Sequence, residues 1–267
     1  MKNNNKYKIL VLIDLKNSSD TVLKTTANLA KMIGGDIDLL HVRKPVDIVK
    51  NDNQLSSMRT INKDYITSKD HIESIVKSVD KELNISYNLI YGNVKREIEE
   101  HIQSANPDII VLGKKRFNTL RLVGDKLTKF ILKKYKGIVL IASNKHVLGY
   151  NEDLSLGVFN HFEHSSDKDL AKKLMALTQK PIKSFKIQKT TDSSGQGHSD
   201  LASKDTIEYV FEPNDNAVSN LSNYVLKNNI DLLCINRDKI GSKNKAVSNL
   251  DINNIIKKLH VSLLLTG

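Results

Sequence analysis

Tryptophan is absent from the 267-residue chain, aromatic residues make up 5% of it, and there is a single cysteine, Cys234. One cysteine excludes a disulfide framework and any multi-cysteine metal site. Long apolar runs are missing as well. The stretch opening in MKNNNKYKILVLIDL is broken by Asp14 and carries no small-residue cleavage site. Neither a signal peptide nor a membrane span is expected there, so the chain reads as cytoplasmic, with no membrane partner. No Walker loop, G-x-S-x-G elbow or H-E-x-x-H pair is present. Nothing assembles a nucleophile, a base and an oxyanion donor, and we expect no enzyme. His161, Glu163 and His164 lack further clustered ligands, and we expect no metal. Cys234, between Leu233 and Ile235, reads as a buried, inert thiol.

Apolar residues are 39% of the chain and charged residues 27%, inside the globular range. A chain of this length buries roughly three quarters of its unfolded surface, enough for a core without staples. The net charge of +11 is unevenly placed: residues 1–147 hold 26 Lys and Arg against 16 Asp and Glu, leaving +10, and the remainder is +1. An anionic partner should therefore meet the first half. The plain alternative is a solubilising, lysine-rich surface. Residues 114–136 hold nine basic residues with Phe117, Phe130 and Tyr135 among them. Phe130 and Tyr135 read as parts of a packed helix, which leaves Phe117 alone as a stacking surface. No nucleic-acid module is visible, and nucleic acid is not the expected partner.

Apolar periodicity divides the first half into alternating strands and helices. Lys8–Leu15 suits a strand buried on both faces. Asn17-Ser18-Ser19-Asp20 offers caps for a helix bearing Val22, Thr26, Leu29, Ala30 and Ile33, which Gly34-Gly35 stops. Ile37–Val42 is a strand, residues 43–60 have loop composition, and Tyr65 to Leu83 mark a long amphipathic helix. Ile85–Tyr91, a helix over Val94–Ala105, Asp108–Leu112 ending at Gly113, a helix over Asp125–Tyr135, and Ile138–Ala142 complete the set. The order β-α-β-α-β-α-β-α-β requires a parallel, doubly wound α/β sheet, because each parallel pair needs a helical crossover.

The second half repeats the first. Lys8–Leu15 matches Ser155–Phe162, and the Leu23/Ala27/Ala30 face matches Leu170/Leu174/Leu177, at an offset of 147. Asp108–Gly113 matches Asp231–Asn236, and Gly137–Ala142 matches His260–Leu265, at an offset of 123. The drop locates a deletion of 24 residues (147 − 123) between the second and third strands. Only the Ser/Gly-rich stretch Lys189–Asp205 fills that interval, so the second helix should be missing from half two. We expect two five-stranded domains, 1–147 and 148–267, each with strand order 3-2-1-4-5, forming a pseudo-dimer within one chain. Ile138–Ala142 and Val261–Leu265 should pair edge to edge, protecting two apolar edges. The lost helix should leave apolar surface that another element, a protein partner or a second subunit covers, which favours a homodimer.

In doubly wound sheets ligands sit beyond the carboxyl ends of the strands, where the strand order reverses. Asp14 ends the first strand there, Gly113 ends the fourth, and Gly124-Asp125 opens the last long helix of half one. The pattern ILVLIDLKNSSD…LA, then LLHV, then PDIIVLGKKRFNTLRLVGDKLTKFILKKYKGIVLIAS resembles the universal stress protein family in a tandem arrangement. That resemblance implies a nucleotide-binding α/β fold, a stress-response binding or signalling role, and ATP or AMP as ligand. It implies an adenine and ribose contact from Asp14 and from the backbone near Val42, and a phosphate cradle around Gly113 and Gly124. The candidate set is Asp14, Val42, Leu112, Gly113, Arg116, Gly124 and Asp125.

The family loop reads G-x2-G-x9-G-[S/T], and this chain departs from it. Arg116 stands at the second glycine, seven residues separate it from Gly124, and Asp125 replaces the hydroxyl residue. A carboxylate there can cap the helix itself and repel a polyphosphate. Lys114, Lys115, Arg116 and Arg121 could replace backbone contacts to phosphate with side chains. Three readings stay open: an adenine nucleotide, another small anionic ligand, or an interaction scaffold that has lost nucleotide binding. In half two the glycine positions become Asn236, Lys239 and Val247 and the Asp14 position becomes His161, although Ser248 falls at the hydroxyl position. No nucleotide is expected there.

Overall fold

A computed structural model describes residues 6–15, 18–47, 53–79, 81–114, 126–150, 154–159, 168–187, 205–214, 216–237, 240 and 251–267. β1 (Tyr7–Leu12), α1 (Ser19–Ile33), β2 (Gly35–Arg43), α2 (Gln54–Lys77), β3 (Ile85–Tyr91), α3 (Val94–Ala105), β4 (Ile109–Gly113), α4 (Lys126–Lys134) and β5 (Ile138–Ala142) form the first half. β6 (Leu156–Phe159), α5 (Lys168–Leu177), β7 (Ile182–Ile187), β8 (Thr206–Phe211), α6 (Ala217–Lys227), β9 (Leu232–Asn236), α7 (Ile252–Lys258) and β10 (Ser262–Thr266) follow.

All ten strands lie in one sheet of order β3-β2-β1-β4-β5-β10-β9-β6-β7-β8. Neighbours are parallel throughout except at β5 and β10, which run antiparallel with Leu140 opposite Leu264. Read outward from that seam, each half has the order 5-4-1-2-3 in its own count. The chain thus has the doubly wound α/β fold with the strand order expected, and the apolar edges Ile138–Ala142 and Ser262–Thr266 close on each other.

Local chemistry sets the element ends. Gly34 takes φ 75° after α1, and its N–H bonds to Ala30 O. That left-handed turn is open to glycine at little cost. The side chain of Asn93 accepts from Lys95 N and Arg96 N at the start of α3, and Asn106 ends that helix at φ 44°. α1 is not capped as expected, since Ser18 precedes it without a side-chain cap bond. Residues 43–60 also differ from the expected loop. A single 3-10 turn spans Pro45–Asp47, and α2 already begins at Gln54, capped by the Asn53 side chain accepting from Leu55 N. The reason is burial: only Ser68, Ile72 and Ile75 of this helix are buried, so its first half offers no apolar period to read.

Two layers of helices cover the sheet. α1, α2 and α5 enclose one core with Val11, Leu39, Val158 and Ile182; α3, α4, α6 and α7 enclose the other with Leu12, Leu40, Phe185 and Leu263. Between β7 and β8 no helix is present among the described residues; most of the expected helix-free stretch 189–205 lies outside them. The face that α2 covers in half one is of mixed character in half two. Its strands carry Ser184, Lys186 and Glu208 there beside Ile182 and the exposed Val210, with Lys186 Nζ 2.7 Å from Glu208 Oε2. Its opposite face holds an aromatic cluster of Phe185, Tyr209, Phe211 and Tyr224, with Tyr209 and Tyr224 centroids 4.4 Å apart.

At the seam each half caps a helix of the other. Arg237, just after β9, donates to Tyr135 O at 3.1 Å, Lys136 O at 3.0 Å and Gly137 O at 2.6 Å, and more weakly to Leu132 O at 3.4 Å, at the end of α4. Lys114, the corresponding residue after β4, donates to Leu259 O at the end of α7. Cations at helix C-termini satisfy orphan carbonyls and oppose the dipole. Ser143 adds two bonds across the seam, accepting none of them through its carbonyl: its N–H donates to Ser262 Oγ and its hydroxyl to His260 O, both at 3.1 Å.

Candidate functional site

The strand order reverses between β1 and β4, whose crossovers leave to opposite faces. Leu12 pairs with Leu112, so Asp14 and Gly113 follow at adjacent strand ends. Ile13 N bonds to Leu40 O, which brings the end of β2 and Val42 alongside. Asp14 is exposed, Val42 half-buried and Leu112 buried. Three elements thus deliver Asp14, Val42, Leu112 and Gly113 to one end of the sheet. Arg116, Gly124 and Asp125 lie outside the described residues, as do Lys115, Phe117 and Arg121. So do His161, Glu163 and His164, and Lys239, Val247 and Ser248 of the second half; Asn236 is a buried residue of β9.

Backbone geometry singles out this corner. Leu15 has φ 53°, a left-handed conformation that costs a non-glycine residue of order 1–3 kcal/mol. It turns the chain sharply beside Asp14. Gly113 has a packing reason of its own, since a Cβ there would lie 2.7 Å from Val22 Cγ2 of α1. The glycine lets α1 settle on β4, and the same bare backbone is what a phosphate approaching the strand end would meet.

Lys114, which the sequence offered as a side-chain contact to phosphate, is engaged across the seam. It is 6% exposed and directed across the seam to α7. Burial, with Lys145 adding to it, pushes its ammonium down to about 8. Phe130 and Tyr135 are likewise engaged: Lys95 Nζ lies 5.4 Å from the Phe130 centroid, and Tyr135 donates to Pro107 O at 2.7 Å. Burial pushes the Cys234 thiol up, consistent with an unreactive core residue.

His41 is the residue that sequence reading missed. It is 3% exposed, and its Nδ1 lies 2.8 Å from Ile13 O. A carbonyl only accepts, so Nδ1 carries the proton and Nε2 is left as an acceptor with no partner among the described residues. Burial is the largest of the effects holding the ring below the ordinary histidine value, opposed by the Ile13 carbonyl. A polar residue in the otherwise apolar run LLHV was the only available signal. Beyond it, Asp64 of α2 binds Arg43 at 2.9 Å and accepts from Tyr91 at 2.9 Å, tying α2 to the ends of β2 and β3. Tyr91 is pushed up, by burial first and by Asp64 second. Among the described residues no group of three or more His, Cys, Asp or Glu is placed to hold a metal, and no helix is long and apolar enough to cross a membrane.

A doubly wound α/β chain of two similar halves, with Asp and Gly at the switch point of the first, defines the class. The model of the universal stress protein family matches residues 7–141, and the chain belongs to that family. It superimposes along 98% of its length on 99% of a universal stress protein from Archaeoglobus fulgidus DSM 4304, at 14% identity and a TM-score of 0.69. It also matches a functionally unknown protein from Pseudomonas aeruginosa PAO1, at 12% identity, TM-score 0.61 and 98% and 92% coverage of the two chains. A putative universal stress protein from Pseudomonas aeruginosa UCBPP-PA14 matches at 11% identity and TM-score 0.57, with 98% and 93% covered. At these identities the likeness is one of fold, and it extends over both halves. No curated protein matches the chain.

Proposed function

We propose that this chain is a cytoplasmic, non-catalytic binding and signalling module of the stress response, whose first half takes an adenine nucleotide, ATP or AMP, while the second half serves as scaffold. One observation carries this reading: the β1–β4 register sets Asp14 and Gly113 at adjacent strand ends, with Val42 beside them. A carboxylate at that point suits ribose hydroxyls, and a bare glycine backbone suits phosphate. Isothermal titration with ATP and AMP tests it. Saturable heat that Asp14→Ala abolishes is the expected result, and the absence of heat at millimolar nucleotide removes the nucleotide from the reading.

A second reading, an interaction scaffold that has lost its nucleotide, is favoured by the contact of Gly113 with Val22, which accounts for the glycine without a ligand. Under it, Asp125→Ser together with Arg116→Gly should raise nucleotide affinity from none to measurable. Wild-type affinity equal to that of the double variant would exclude the scaffold.

A further inference from the structure

The first half of α2 contributes nothing to the buried core, yet it is not polar. Asp64 binds Arg43 and accepts from Tyr91, the last residues of β2 and β3. Because α2 joins two parallel strands, it runs against both, and Gln54 to Lys63 rise past the carboxyl ends of the sheet. Leu55 is 70% exposed, Met58 64%, Ile66 52% and Tyr65 41%. At the helical repeat Leu55, Met58, Asn62 and Tyr65 fall on one stripe, with Ile66 beside them and the Lys69 stem continuing it. The stripe lies roughly 100° round the helix from Ser68, Ile72 and Ile75, which face the core. It is a second apolar face, and within the chain it stays open to solvent. Alternating steps of three and four residues make the seam of a helix pair, and a lone Asn in such a seam fixes its register.

Charge identifies the partner. Half one carries +10, but α2 holds four Lys or Arg and three Asp or Glu, a net +1, so a second copy meets little repulsion there. Arg59 and Asp70 lie along the same flank of the stripe, both exposed, and neither side chain has a hydrogen-bond or ion-pair partner among the described residues. Two helices packed antiparallel about a two-fold axis set like flanks against each other, so each contact occurs twice. Placing Asn62 of one copy opposite Tyr65 of the other lays Met58 on the Lys69 stem and brings Arg59 to Asp70. A parallel pair would turn Arg59 toward its partner's core-facing side and leave both charges unmatched.

We infer that the overhanging stripe of α2 is a docking surface for a second copy of this chain, with the two helices antiparallel through Met58, Asn62 and Tyr65 and Arg59 paired to Asp70 on either side. This surface is separate from the β5–β10 seam, which the chain closes on itself. The inference does not rest on the nucleotide reading, since none of its residues belongs to the corner of Asp14, Val42 and Gly113.

Sedimentation equilibrium of the full chain over a concentration series tests it. The mass should rise with concentration to twice that of one chain. Met58→Glu alters an exposed side chain and should weaken association about tenfold or more. Arg59→Asp and Asp70→Arg should each weaken it about fivefold, and the two together should restore it to within about twofold of wild type, because the exchange re-forms the pair. Circular dichroism of each variant verifies that it is folded, and Met58→Glu carries the test should a charge variant not fold. The inference falls if the wild type stays monomeric at every concentration, if Met58→Glu associates like wild type, or if the double exchange fails to recover what the single ones lose.

Discussion

The outer strands of the two halves treat one face of the same sheet in opposite ways. In half one, β2 and β3 turn Ile37, Leu39, Ile85 and Tyr87 toward α2, where Tyr87 donates to Glu73 at 2.9 Å. Val11 pairs with Leu39 and its counterpart Val158 pairs with Ser184, so the matching positions on β7 and β8 are Ile182, Ser184, Thr206 and Glu208. Three of these four positions are polar. On the opposite face the packing is kept, with Phe185 and Ile187 buried as Leu40 is. Because side chains alternate across a strand, one face can be rewritten for water without disturbing the other.

Exchanging residues between the halves should break this comparison most severely in one direction. Leu39 is buried under helices, so Leu39→Ser should cost about 3–5 kcal/mol in denaturant unfolding. A cost below about 1 kcal/mol would mean that α2 contributes little to the fold.

The seam should show a comparable asymmetry in its response to pH. Lys114 is depressed to about 8 from an ordinary 10.5, so folding favours its neutral amine. The penalty is full below pH 8 and relieved as pH rises toward 10.5. Wild type should gain on the order of 3 kcal/mol across that window relative to Lys114→Met. Its charged neighbours are Lys145 and His260, and the latter is already neutral there. Arg237, whose guanidinium does not titrate, should confer no such dependence, and equal pH profiles for wild type and Lys114→Met would contradict the buried placement.

Smaller effects separate the two ends of the α2–α3 region. Asn93→Ala removes a cap that accepts from two backbone N–H groups and should cost about 1 kcal/mol. Asn53→Ala removes the cap of a helix whose first buried residue is Ser68, and should cost less than half of that. Smallest of all, Glu208→Tyr restores the half-one residue on that face and should change stability by no more than about 0.5 kcal/mol. Its signature is association, as a rise in apparent mass by light scattering, because it rebuilds an apolar patch that nothing described covers.

How much of this was readable beforehand follows from where burial is periodic. α3 and β5 begin and end at the residues expected, because Asn93 marks a cap, Val94, Ile98 and Ile102 keep helical spacing, and Ile138–Ala142 is uniformly apolar. The offset between the repeats exposed the missing segment. IKSFKI and TIEYVF also set Ser184, Lys186, Thr206 and Glu208 beside Ile182 and Val210, a mixed face where topology alone led us to expect an apolar one. The beginning of α2 was hidden for the reverse reason, since Leu55, Met58 and Ile66 are exposed and carry no core signal. Of the site, Asp14, Val42, Leu112 and Gly113 were legible from strand ends, and Arg116, Gly124 and Asp125 lie outside the described residues. Lys114 looked like one more member of a basic run, because nothing local reveals a partner 145 positions away.

The join between β5 and β10 lies inside a single polypeptide. In an assembly of identical subunits, every substitution is imposed on both sides of the axis, and Ser184 or Arg237 in one copy would appear in the other. Fusion lifts that constraint. One copy can drift toward a plain support while its twin keeps the strand-end aspartate and glycine, and their contact survives dilution because the linker, not the concentration of protein, sets how often the two meet.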